Sequence, residues 1–456
     1  MDIPKPARTL EEIAAQVIVE PLKLGDPRYV DLSSGRSTTD LGMLRIHLQD
    51  HDAAQNRFAK VVFTGHRGSG KSTELLRLEH ELSQRFTPLH LCVDDTLLRD
   101  CDYPDLLLWL VDSLARTFDE GKMPLDERLT NDVAMWFAET TKVDVKKVQS
   151  EVSVETEAEA QARTGLYWLS LKILARLKAS IVGSVERRQE VRRSLKNYSD
   201  QLIDRVNLLL DNAQRVLESH GKTPDLLIVQ DNLDRLPPDA GQSLFIQNGD
   251  LLKRLRAHFI FTVPIAMVLA PWNIGSVFEH SFTMPMVKVQ ERQGQEFKDG
   301  IDALVKLLKA RVDVKAVFSS PGVARYLARM SGGSARDLIR LLSYAQLTAR
   351  ALGKQCIDQA AAEQATGKMR IDYERLLIPG NIYFPLLAQV HRTKSDWLSD
   401  ESRKDPETVQ AARDFFSQLL VNGSVLEYNG DSSWYDVHPV VQEIQAFKDA
   451  LAKLEI

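Results

Sequence analysis

Short apolar runs alternate with amphipathic stretches along most of the chain, and that alternation predicts an α/β fold. Lys60-Val-Val-Phe-Thr64 is a compact apolar run ending in a Gly-rich turn. Beyond the turn, Ser72 to Arg85 sets Leu75, Leu76, Leu78 and Leu82 at helical spacing, giving strand, loop and helix in succession. A second strand is predicted at Leu89–Val93 and an amphipathic helix at Tyr103–Phe118. Three further apolar runs, Leu226–Gln230, Phe259–Val263 and Met284–Val289, are separated by helical segments, the pattern of buried strands in a parallel sheet with helices on both faces.

Between about 120 and 222 the chain offers no strand pattern. Residues 143 to 220 are rich in Ala, Glu, Lys, Arg and Leu and nearly free of Gly and Pro, so they predict long helices inserted into the sheet domain. Within them an acidic patch, Glu151 to Glu159, and a basic one, Glu186 to Lys196, are expected as solvated helix faces or docking surfaces. Before the first strand lies a mixed segment with a cluster at Tyr29–Leu32 and a helical pattern at Leu41–Leu48. Helical periodicity returns from 291 to about 368. Two short strand candidates near the end, Ser424–Tyr428 and Trp434–Val437, flank the turn Asn429-Gly430-Asp431, and a hairpin after helices looks like a winged helix.

These patterns divide the chain into 1–57, an N-terminal segment; 58–290, a core with the insertion at about 120–222; 291–370, a small helical segment; and 371–456, a winged-helix-like domain. Composition adds exclusions. The 456 residues are 44% hydrophobic and 27% charged, as in a soluble globular protein, and a net charge of -5 supplies no global field for nucleic acid or anionic membranes. Three scattered cysteines, Cys92, Cys101 and Cys356, form no CxxC pair and predict neither a disulfide framework nor a structural zinc site. No apolar run reaches the roughly 18 residues of a membrane span, and no signal pattern opens the chain, so a cytoplasmic location is expected.

The candidate chemistry centres on Gly65-His66-Arg67-Gly68-Ser69-Gly70-Lys71-Ser72, a full P-loop pattern set between strand and helix and continued by Thr73. Such a loop turns successive backbone N–H groups inward, and the following helix adds its positive N-terminal end. Lys71 is expected to reach the β- and γ-phosphates of ATP, with Ser72 as a magnesium ligand. Asp231, where the apolar run of 226–230 stops, is the expected carboxylate of the magnesium shell.

Four stretches together resemble the AAA+ and STAND classes of P-loop ATPases, in particular the origin-recognition and helicase-loader branch and bacterial switch-type ATPases. They are Gly65–Ser72, Asp231-Asn-Leu-Asp-Arg235, Phe259–Pro264 and Ser331-Gly-Gly-Ser-Ala-Arg-Asp-Leu-Ile-Arg340. The resemblance implies a hydrolase for ATP and places Thr262 at sensor 1 and Arg336 at sensor 2, where an Arg at a helix start reads the γ-phosphate. A buried strand threonine is also ordinary packing. The acid that commonly follows the strand-end Asp is here Asn232, which cannot take a proton; Asp234 is the nearest substitute. Residues 264–283 hold no Arg or Lys where an arginine finger is common, leaving Arg254, Arg256 and Arg292 as replacements.

Two functional classes follow. One is an ATP-held, slowly hydrolysing switch that changes conformation or oligomerises, with a protein partner or a second copy of itself; proteins of that type serve in bacterial signalling and phage defence. The other is a DNA-engaged AAA+ loader or transposition regulator. Residues 371–456 hold 8 Lys and Arg against 14 Asp and Glu, and the stretch in recognition position, Glu407 to Gln418, has only Arg413 as a base. A phosphate backbone favours the opposite balance, so the first class is preferred.

Overall fold

A computed structural model describes residues 5–51, 57–146, 148, 166–268, 274–377, 383–395, 406–429 and 433–454. In chain order its main elements begin with α1 (Ser33–Arg36), α2 (Asp40–Gln49), β1 (Lys60–Gly65), α3 (Lys71–Leu82) and β2 (Thr87–Cys92). Five helices follow: α4 (Tyr103–Glu120), α5 (Glu127–Thr140), α6 (Leu166–Gly183), α7 (Val185–Lys196) and α8 (Ser199–Ser219). Then come β3 (Leu226–Asp231), β4 (His258–Thr262), β5 (His280–Met284), α9 (Lys298–Lys309), α10 (Pro321–Met330), α11 (Ala335–Ala351) and α12 (Gln359–Leu376). The last elements are α13 (Tyr383–Thr393), α14 (Pro406–Val421), β6 (Val425–Tyr428), β7 (Trp434–Val437) and α15 (Gln445–Leu454). Two compact units divide these elements. The first comprises Met1–Leu41, Gly65–Arg77 and Thr283–Ile456, and the second Gly42–Thr64 and Leu78–Phe282.

The fold is α/β, built on a five-stranded sheet in the order β2-β3-β4-β1-β5. The pairs β2–β3, β3–β4 and β1–β4 are parallel. Every residue of β1, β3 and β4 is buried, as strands covered on both faces must be. In the second unit the sheet and the inserted helices share one core: Val62, Leu91, Ile228 and Phe259 cluster with Leu107, Phe137, Leu174 and Leu209. Among the described residues, then, the insertion packs as part of the sheet domain. Helix α4 starts where the sequence tells it to, with Asp102 and Asp105 forming a reciprocal capping box and Pro104 in the first turn.

The basic run 186–196 is solvated in part, with Arg193 and Lys196 exposed, but two of its charges are turned inward. Arg188 is buried with its Nε donating to the Ile181 carbonyl at 2.5 Å, and Arg192 pairs with Asp100 at 2.9 Å and Asp105 at 2.5 Å. These two charges are satisfied inside the unit and are not on offer to a partner. The acidic patch 151–159 lies outside the described residues, as do Gly430 and Asp431 of the hairpin turn.

One strand is displaced from its expected place. The fifth is His280–Met284, not Met284–Val289. Pro285 follows it, and a residue without an N–H cannot continue a ladder. The apolar stretch 286–289 is nonetheless buried, its N–H groups satisfied elsewhere in the first unit: Met286 donates to the Glu427 carbonyl at 3.1 Å and Lys288 to Gly35 at 2.8 Å.

In the first unit β6 and β7 form an antiparallel pair, Val425 opposite Val437 and Tyr428 opposite Trp434. The Tyr428 and Trp434 rings lie 4.8 Å apart and bury against Met286 and Leu426. Full burial of side chains this size stabilises by roughly 1.5–3 kcal/mol each, enough to fix so short a hairpin. No helix among the described residues is long and apolar enough to cross a membrane.

Candidate nucleotide site

The phosphate loop belongs to the first unit, and its conformation follows from its glycines. Gly68 has φ +89°, and a Cβ there would sit 2.8 Å from both the Arg336 Cβ and the Ser334 Oγ. Only glycine allows that backbone and that approach. Lys71 opens α3, is 5% exposed, and points its ammonium back into the loop, donating to the carbonyls of Gly65 at 2.8 Å and His66 at 2.9 Å. Ser72 follows on the first turn, and Arg67 is exposed. Ser69 keeps a buried Oγ that has no hydrogen-bond partner among the described residues. A cation, a first-turn hydroxyl and an orphaned buried hydroxyl at a helix start are a donor set that fits phosphate oxygens.

Two residues from the N-terminal segment brace this loop. Arg36, 2% exposed, donates from Nη2 to the Ser69 carbonyl at 2.5 Å, with Nη1 3.6 Å from Glu74. Burial lowers the Arg36 pKa and raises that of Glu74, and each charge tempers the shift of the other. The backbone N–H of Leu22 donates to Thr73 Oγ1 at 3.2 Å, so that hydroxyl is already engaged as an acceptor.

The sensor-2-like motif lies against the same loop. Arg336 donates its backbone N–H to the Gly68 carbonyl at 3.3 Å, on the first turn of α11, which Ser334 caps. Gly333 has φ +88°, and a Cβ on it would meet the Val287 carbonyl oxygen at 1.8 Å, so the close approach of this turn to Val287 requires glycine.

His66 joins the loop to the C-terminal hairpin. It is 1% exposed, with Nδ1 3.2 Å from the Leu420 carbonyl and Nε2 accepting the Glu427 N–H at 2.7 Å. Accepting from an N–H requires a bare Nε2, so the proton sits on Nδ1 and is donated to Leu420. Burial, reinforced by Lys71, pushes the imidazole pKa down to about 3, which keeps the ring neutral. Tyr428 adds a second tie, its hydroxyl donating to the Gly332 carbonyl at 2.8 Å. Phosphate loop, glycine turn and hairpin are therefore hydrogen-bonded in a closed triangle within one unit.

Glu427 carries an ionisable group into this triangle. Its side chain is buried and, among the described residues, Oε2 has no hydrogen-bond partner. Burial raises the carboxyl to about 7, opposed by a hydrogen bond from Ser433 and aided by Asp40. A folded-state pKa above the unfolded one means the protonated form is favoured by folding, so this stability is whole below about pH 4.5 and is lost as pH rises through about 7. Glu427→Gln is expected to match the wild type near pH 4 and to exceed it by about 3 kcal/mol at pH 8. Denaturant melts at the two pH values check this; parallel pH profiles of the two proteins would show that the carboxyl is not held neutral.

In the second unit Asp231 ends β3 at 2% exposure, its Oδ1 accepting the Asn232 N–H at 2.7 Å. Asn232 has φ +73°, and its Nδ2 lies 3.5 Å from the Val93 carbonyl. Asparagine tolerates the left-handed region far better than most residues, which gives this position a backbone reason for its identity. Asp234 sits in the short turn Leu233–Arg235, partly exposed. Thr262, fully buried, donates its hydroxyl to the Gln230 carbonyl at 3.3 Å, the bond expected of a packing threonine between strands. Arg254 and Arg256 pair with Asp200 at 2.6 Å and Asp211 at 2.8 Å, both on α8, and Arg292 in the first unit is exposed.

Next to Asp231 stands His90, which no motif marks. Its Nε2 lies 3.6 Å from Asp231 Oδ2 and its Nδ1 2.5 Å from Glu79 Oε1. Burial disfavours the imidazolium, but hydrogen bonds to Asp231, Cys92 and Glu79 outweigh it and hold the pKa well above the usual range. A histidine on an otherwise apolar strand, two residues before a cysteine, is the signal the sequence offers.

A comparison with family models finds no match, and a comparison with curated proteins finds none. Solved structures do align over nearly the whole chain. The Pyrobaculum aerophilum Cdc6p structure is 14% identical, with 93% of this chain and 99% of that one covered and a TM-score of 0.37. The Aeropyrum pernix ORC2 protein in its ADP form is 11% identical, covering 96% and 97%, with a TM-score of 0.42. The Thermotoga maritima RuvB Holliday junction branch migration motor is 11% identical, covering 90% and 95%, with a TM-score of 0.33. Identities and TM-scores this low leave the chemistry to the chain's own residues.

Proposed function

We propose that this chain is an ATP-binding switch of the AAA+ and STAND type, a slow hydrolase whose nucleotide state is passed from the phosphate loop to the C-terminal hairpin. The observation that carries this is His66: a residue inside the phosphate loop is hydrogen-bonded on both ring nitrogens to the hairpin segment, at Leu420 and Glu427. Lys71, Ser72 and the loop N–H groups hold the phosphates of ATP or ADP, and Ser72 and Asp231 serve magnesium, which offsets phosphate charge when bound. Asn232 cannot act as a base, so turnover is slow and falls to Asp234 or to a water oriented by the amide. Thr262 and Arg336 are the proposed γ-phosphate sensors. A ligand shifts such a switch only through its differential affinity for the two states, and the extra phosphate of ATP supplies that difference at the loop.

The output is proposed to be docking of a protein partner or self-association. The DNA-engaged alternative has less support, because Lys394, a base of the C-terminal segment, is held by the fully buried Asp436 at 2.6 Å. Phosphate release from ATP, measured over a wide protein concentration range with Lys71→Ala as blank, tests the reading. Weak wild-type activity above the blank supports a slow hydrolase, and a rise in specific activity with concentration supports self-association. Fast turnover that is independent of concentration contradicts it.

A further inference from the structure

In the second unit three ligand types converge on one face of the sheet edge. β2 and β3 run side by side with Cys92 opposite Asp231, and His90 shares the face of Cys92 two residues earlier. One ligand atom from each of His90, Cys92 and Asp231 lies within 4.8 Å of the others. The pair His90 Nε2 and Asp231 Oδ2, at 3.6 Å, is near the roughly 3.3 Å that two ligands of one tetrahedral zinc ion subtend at ordinary bond lengths. Cys92 is exposed, so its Sγ can swing the remaining distance and the site has an entry path.

The outer shell is built as well. Glu79 Oε1 accepts a hydrogen bond from Nδ1–H at 2.5 Å, the carboxylate-to-histidine contact that orients a metal-binding imidazole and raises its basicity. Glu79 and Asp231 are both buried, so neither is a loose surface acid. Imidazole, thiolate and carboxylate together suit zinc or cobalt and are a poor set for magnesium, which takes oxygen ligands.

We propose that His90, Cys92 and Asp231 bind a thiophilic divalent cation of the zinc and cobalt class, with Glu79 as the residue that positions the imidazole. Binding displaces the protons on Nε2 and Sγ and leaves one coordination position for water. Because it takes Asp231, this cation also opposes magnesium-dependent hydrolysis, a consequence that rests on the function proposed above.

The test is a cobalt(II) titration of the full chain without nucleotide. One cobalt per chain with a thiolate-to-cobalt charge-transfer absorption is expected, the band disappearing in Cys92→Ala. Glu79→Gln is expected to keep the band while weakening affinity about 10–100-fold. No band in the wild type, or a band undiminished in Cys92→Ala, overturns the site. Since ATP is absent, failure of the nucleotide assignment would leave this result untouched. Zinc should then slow phosphate release more in the wild type than in Cys92→Ala; equal inhibition would overturn the link through Asp231.

Discussion

Lys71→Ala is expected to lose ATP binding, with affinity falling more than about 100-fold, an effect of roughly 3 kcal/mol or more. The size follows from what the ammonium does. It is the charge aimed into the loop, held there by the carbonyls of Gly65 and His66. A charged donor to a phosphate contributes about twice what a neutral one does, and in the proposed function Lys71 contacts more than one phosphate oxygen. The fold should survive, because the truncation removes a side chain from a loop whose shape is set by glycines and by Arg36 on the Ser69 carbonyl. Calorimetry with ATP and magnesium checks the prediction, alongside a melt to confirm folding. Unchanged affinity in a folded variant would remove the phosphate-site assignment.

His66→Ala is expected to cost more in stability than in affinity. Deleting the ring leaves the Glu427 N–H unpaired in a fully buried place, at about 1–3 kcal/mol, strips the Leu420 carbonyl of one of its two donors (the Gly423 N–H remains at 3.2 Å), and opens a cavity besides. A loss of roughly 3–5 kcal/mol in the first unit follows. His66→Asn keeps one acceptor and two donors and should recover part of it. A pH signature separates the histidine from simple packing. With a folded-state pKa pushed down to about 3, the stability contributed by the neutral ring is present above the unfolded value of 6.5 and is lost as pH falls toward about 3. The asparagine variant lacks that slope. ATP affinity should persist in both variants, since the contacts removed face the hairpin; its collapse in folded His66→Ala would mean that the ring supports phosphate binding directly.

The loop between β1 and α3 is legible in the sequence because its glycine spacing and the strand and helix on either side are all local. Burial of β1, β3 and β4 is legible for a similar reason, since strands covered on both faces read as apolar runs. The fifth strand is harder to place because the run Met286–Val289 is as apolar as a strand, while Pro285 decides where the ladder stops. Long-range partners leave no local trace. Arg36 sits in Ser-Gly-Arg-Ser, a stretch with no motif, yet it reaches the carbonyl of Ser69. His66 occupies a variable position of the loop pattern, and only the tertiary fold brings Leu420 and Glu427 to it. Likewise Arg188 and Arg192 read as surface charges until Ile181, Asp100 and Asp105 are placed beside them. Asn232 reads as a lost catalytic acid, and its φ of +73° supplies a conformational reason that no residue count can show.

The most direct measurement of nucleotide-to-hairpin coupling is amide hydrogen exchange across Val425–Tyr428, taken without nucleotide, with ADP and with ATP plus magnesium. The Glu427 N–H, held by His66 Nε2, is the reporter. Its protection is expected to differ between the ATP and ADP states in the wild type and to be equal in Lys71→Ala, which binds neither. Identical protection in all three wild-type states, with nucleotide occupancy confirmed by calorimetry, would contradict a switch that runs from the phosphate loop through His66 to the hairpin.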